Sequence, residues 1–138
     1  MAIKTKGNMK AKAPPFAALP KVIVQSARYR SLSFVARAVL VEMLAQYNGS
    51  NNGDLSATRT MAKEWGVSSP NMLQKALQEL DVGQWIIMTR SSVFSKRGAR
   101  CALYAISWRP IDECPGKELE VSATRTPPRI IPDLIKPI

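Results

Sequence analysis

Asn71, Gln74, Lys75 and Gln78 recur at i, i+3, i+4 and i+7, the spacing that puts side chains on one face of a helix. Three of the four are amides. Each carries a donor and an acceptor side by side, which matches the edge of adenine in the major groove of DNA, while a lysine suits guanine or a phosphate. The chemistry on offer is hydrogen-bonded reading of a polar surface, not bond making. A merely solvated face more commonly carries Glu–Lys pairs, and here Glu79 stands at the edge of the face rather than on it.

The opposite face, Leu73, Ala76, Leu77 and Leu80, is apolar, so the pattern predicts an amphipathic helix over 69–82. Ser69 is a good N-cap, and Pro70 fits the first helical position because no hydrogen bond is lost there. A shorter helix is expected over about Ala57–Trp65, with Met61, Ala62 and Trp65 inward. Gly66 then permits a sharp reversal and Val67 plugs the junction, giving helix, turn, helix. Arg59 and Lys63 on the shorter helix are placed to clamp a phosphate backbone.

Upstream, Ser33 caps a helix expected over Phe34–Tyr47, whose apolar residues recur at spacings of three and four. The stretch "NGSNNGD" (Asn48–Asp54) ends it in a tight connection. Val22, Ile23 and Val24 are compatible with either a short strand or a helical turn. Downstream, "WIIMTRSSVF" and "ALYAISW" are β-prone runs joined by a turn at Ser95–Gly98. That turn would pair Phe94 with Ala99, Ile87 with Ile106 and Trp85 with Trp108, and a short strand around Asp54–Ser56 could join the ribbon. Arg90, Lys96, Arg97 and Arg100 concentrate positive charge toward its tip, where they can hold phosphates or enter the minor groove.

The order of elements predicts an α+β winged helix-turn-helix: three helices plus a β-hairpin wing over residues 16–110. Residues 1–15 read as a basic flexible arm able to track a groove beside the main site. Prolines 110, 115, 127, 128, 132 and 137 leave little room for a helix or a central strand, so 111–138 reads as an extended Pro-rich tail.

Charge supports a polyanionic partner. The chain of 138 residues has a formal charge of +10, and residues 1–110 hold sixteen basic against five acidic residues. No acid precedes Glu42. Neutralising phosphates with such a surface releases counterions, which drives binding to nucleic acid. With no histidine and only Cys101 and Cys114, Cys/His metal sites and His-based catalysis are excluded. No Gly-rich phosphate loop and no outstanding carboxylate pair are present, so neither an enzyme nor a cofactor is expected. Free thiols, the lack of a signal-peptide core and the shortness of the apolar runs imply a soluble cytoplasmic protein without membrane contact.

The blocks "PFAALPKVIVQSARYRSLSFVARAVLVEMLAQYNGSNNGDLS", "KALQEL", "IIMTR" and "LYAISWRPIDEC" together resemble small helix-turn-helix proteins of bacterial prophages and mobile elements. Those are in turn similar to the winged-helix part of plasmid and phage replication initiators. The resemblance spans about Phe16–Cys114, and "YNGSNNGDLS" is its most distinctive part. It implies a winged-helix fold and DNA binding. One departure stands out: such domains place glycine directly before the aromatic that opens the wing, whereas here Gln84 separates Gly83 from Trp85.

Two functions follow as expectations. The first is double-stranded DNA binding in transcription regulation or replication initiation, with Ser69, Asn71, Gln74, Lys75 and Gln78 in the major groove and Arg59, Lys63, Arg90, Lys96, Arg97 and Arg100 on the backbone. The alternative is a protein-binding adaptor or inhibitor that docks on a partner through the tail. RNA binding is weaker, because no aromatic stacking platform is visible. A homodimer is left open; no heptad or dimer helix is evident in the sequence.

Overall fold

Three hydroxyl side chains start the three longest helices. Ser33 Oγ accepts from the Ala36 N–H at 3.1 Å, Thr58 Oγ1 from Met61 at 3.2 Å and Ser69 Oγ from Met72 at 3.3 Å. Each satisfies a backbone donor that the helix itself cannot. The computed structural model describes residues 13–95 and 98–137, apart from the side chains of Phe94 and Ser95. Lys96, Arg97 and most of the basic arm, residues 1–12, lie outside the described residues.

The chain is mixed α+β. α1 (Lys21–Val24) and α2 (Ala27–Arg30) are single turns, so Val22–Val24 is helical rather than a strand. α3 (Phe34–Gln46), α4 (Arg59–Glu64) and α5 (Pro70–Val82) follow the expected order, and α3 packs against α5. α4 begins two residues later than expected because Thr58 is its cap. Then come β1 (Ile86–Arg90), β2 (Val93–Ser95), β3 (Gly98–Arg100) and β4 (Leu103–Ile106), with a last helical turn, α6 (Ile131–Leu134).

β1 pairs antiparallel with β4, and β2 with β3. Phe94 faces Ala99 as expected, but the register at the base is different: Ile86 faces Ile106 and Ile87 faces Ala105. The shift falls between Met88 and Arg90, where Thr89 is an extra residue in β1. Thr89 is fully buried, and its hydroxyl donates to the Gly53 carbonyl at 2.6 Å. A uniform ladder would give that hydroxyl no such acceptor, so the strand bulges. Consequently Trp85 does not stand opposite Trp108; its carbonyl accepts from Ser107 N–H at 3.1 Å. The two indoles still meet edge to face, 6.3 Å apart, and Tyr29 makes a second such contact with Trp85 at 6.2 Å.

Leu55 bridges Tyr104 through two backbone hydrogen bonds of 3.1 and 2.8 Å, which adds the expected short segment around Asp54–Ser56 to the edge of β4. The connection before it is fixed by Asn52. Its buried side chain accepts from Ile106 N–H at 2.7 Å and donates to the carbonyls of Ile106 and Pro110 at 3.0 and 2.9 Å.

The segment after Pro110 does not run free. Ile111 and Leu134 are buried, and Leu134 belongs to the same core as α3, α5 and Trp85. Backbone N–H groups of Asp112, Glu120 and Arg129 donate to Asn52, Thr89 and Ser107 at 2.7–2.9 Å. The prolines do exclude strands here, but α6 forms with Pro132 within its first turn, where proline costs no hydrogen bond. Among the described residues no helix is long and apolar enough to cross a membrane.

Candidate nucleic-acid interface

The turn between α4 and α5 is built locally. Gly66 adopts φ 91°, a left-handed conformation that favours glycine. The next N–H, from Val67, reaches back to the Ala62 carbonyl at 2.8 Å. Ala62 and Val67 are buried beneath it. α5 then turns Leu73, Ala76 and Leu80 into the core, with Leu77 half-buried beside them.

Its other face is open. Asn71, Gln74, Lys75 and Gln78 are all exposed, and none of their side chains is engaged by another described residue. Glu79, at the edge, is engaged: its carboxylate accepts from the Ser33 N–H at 3.0 Å. That bond ties α5 to the start of α3, where a negative charge also suits the helix dipole. The sequence therefore separates two roles on one helix, amides outward and the acid toward α3.

Beside the start of α5 lies a groove of about 210 Å³ lined by Arg59, Thr60, Lys63, Ser68, Ser69 and the apolar floor of Val67 and Leu73. Arg59 and Lys63 are exposed and form no ion pair among the described residues. Two cations beside the start of α5, where the helix dipole is positive, make an anion-accepting surface. Thr60 and Ser68 were not singled out from the sequence. Their signal was position alone, one beside Arg59 and one before the capping Ser69.

The ribbon is different. Arg90 donates to the Cys101 carbonyl at 2.8 and 3.2 Å and to the Lys117 carbonyl at 3.0 Å. Arg100 pairs with Glu118, so both cations are held by the ribbon's own backbone or by the segment after Pro110. The structure thus gathers Arg59, Lys63 and Ser69 around one groove, leaves Asn71, Gln74, Lys75 and Gln78 exposed on the outer face of α5, and gives Arg90 and Arg100 intramolecular partners. Nothing in composition forecast this, because Glu118 lies 18 residues beyond Arg100.

The Cys114 thiol is not activated by its surroundings. Partial burial, followed by the nearby Asp54 and Asp112 carboxylates, pushes the Cys114 thiol up, against a smaller opposing effect of Lys117. Burial, then Asp81, pushes the Tyr104 hydroxyl up as well. Comparison of the chain with protein-family models, with curated proteins and with solved structures gives no match.

Proposed function

We propose that the chain is a winged helix-turn-helix protein that binds double-stranded DNA, with α5 as recognition helix, acting in transcription control or replication initiation in a phage or mobile element. The observation that carries this reading is the outer face of α5: four exposed hydrogen-bonding side chains, three of them amides, with no partners among the described residues. A helix of this kind fits the major groove. Arg59 and Lys63 then meet the phosphates flanking it, and the cationic N-terminal half adds sequence-independent attraction.

Selection from a random duplex pool at physiological salt tests the proposal. An enriched motif is expected, and Asn71→Ala or Gln74→Ala should relax discrimination at single positions by about 1–3 kcal/mol. Lys63→Ala should instead weaken binding across all sequences and lower the salt slope by about one. An unenriched pool, with affinity unchanged by the Asn71→Ala/Gln74→Ala double variant, would overturn it. The alternative of partner docking through the tail draws less support, since Ile111 and Leu134 are spent in the core and a docking peptide needs its anchors free.

A further inference from the structure

α3 is apolar on almost every side. A helix of that kind is normally enclosed, yet one of its faces is open: Phe34 is 82% exposed and Val41 39% exposed. Ala38 and Ala45 complete that face, so the residues 34, 38, 41 and 45 are spaced by four, three and four. This is the d-a-d-a order of a coiled-coil seam. The sequence pattern hides it, because two seam residues are alanines and the larger buried face of Val39, Leu40, Met43 and Leu44 dominates the periodicity.

In that register Arg37 takes the g position and Glu42 the following e position. They are the only charges on α3, and neither meets an opposite charge among the described residues. The Arg37 guanidinium lies over the Phe34 and Tyr29 rings, 5.1 and 5.4 Å from their centres, and donates to the Arg30 carbonyl, while its buried Nε has no partner among the described residues. In a parallel pair of helices, g of one faces the next e of the other. Arg37 would then meet Glu42 of a second copy, twice by symmetry. An antiparallel pair sets g against g, so Arg37 would approach only the g residue Leu44, and both charges would stay unpaired.

We infer that the open face of α3 is the seam of a parallel homodimer, with Phe34, Ala38, Val41 and Ala45 in contact across it and Arg37 paired with Glu42 of the second copy. The alanines let the two backbones approach closely. A seam of four residues per chain is small beside the roughly 1,200 Å² of a stable complex, so the dimer is a weak one.

Sedimentation equilibrium of the full chain without DNA, from micromolar to millimolar concentration, tests this independently of the DNA reading. A monomer–dimer equilibrium is expected. Val41→Asp, which places an unpaired carboxylate in the seam, should raise the dimer Kd about tenfold or more with an unchanged melting temperature. Glu42→Lys should weaken association likewise, and mixing that chain with an Arg37→Glu chain should restore it by pairing opposite charges. Should Arg37→Glu fail to fold, Val41→Asp and Glu42→Lys remain decisive. The inference is overturned by a monomer throughout, by a dimer that either of these variants leaves intact, or by folded variants whose mixture does not re-associate. It is equally overturned by a dimer that forms only once residues 1–12 are deleted, which would assign the face to the chain's own N-terminal segment.

Discussion

Gln84 has φ 64°, a left-handed backbone that costs an ordinary residue about 1–2 kcal/mol. It occupies the position after the α5 C-cap, where the Trp85 N–H reaches the Leu80 carbonyl at 2.9 Å and its own N–H reaches Asp81 at 3.0 Å. That pair of bonds is the glycine-favouring end of a helix. The adjacent Gly83 serves a different need, because a Cβ there would lie 2.8 Å from the Trp85 ring. The displaced glycine noted in the sequence thus reflects two demands, close approach at 83 and left-handed backbone at 84, and the chain places glycine only at the first. Gln84→Gly should stabilise the fold by about 0.5–1 kcal/mol, the relief being partly offset by extra unfolded-state entropy. Urea denaturation measures it, and a lowered midpoint would contradict the account. Caps and reversals such as Ser33, Gly66 and Ser69 were legible in the sequence because their partners lie within five residues. Asn52 was not, since the groups it bonds are 54 or more residues away.

At the scale of elements, the order of α3, α4, α5 and the ribbon followed from periodicity and capping, while the register of the ribbon did not. Counting outward from the turn treats every step as paired, which holds from Ser95 to Val93 and fails at Thr89. The failure has a use. With Thr89 turned out of the ladder, its hydroxyl reaches Gly53 and its carbonyl accepts from the Glu120 N–H at 2.7 Å. One residue joins β1 to the loop before Leu55 and to the segment after Pro110. Thr89→Val keeps the shape and removes the hydroxyl, leaving a buried carbonyl short of a donor. A loss of about 1–3 kcal/mol is expected in chemical denaturation. Thr89→Ser retains the hydroxyl and should cost less. Equal losses for the two variants would point to packing of the methyl group rather than to the hydrogen bond.

Over the whole molecule, the segment from Ile111 onward is part of the fold that presents α5. Its prolines announced the lack of long helices or strands, but two buried anchors 23 residues apart, Ile111 and Leu134, form no periodic signal a sequence can display. Leu134 is 1% exposed in the core shared with Trp85 and Leu80, so its truncation acts on the core that backs both α5 and the ribbon. Leu134→Ala should cost about 2–5 kcal/mol through lost burial and the cavity left behind. It should not alter any group on the outer face of α5. Thermal unfolding followed by circular dichroism gives the first quantity. Duplex binding by the same variant, measured well below its melting temperature, gives the second. A lowered melting temperature with unchanged affinity and salt slope is the expected pair. An unshifted melting temperature would mean that the segment lies on the domain without supporting it. A folded variant that lost affinity would mean that the segment itself meets the nucleic acid, and the Arg90 and Arg100 contacts to Lys117 and Glu118 would then be the first to re-examine.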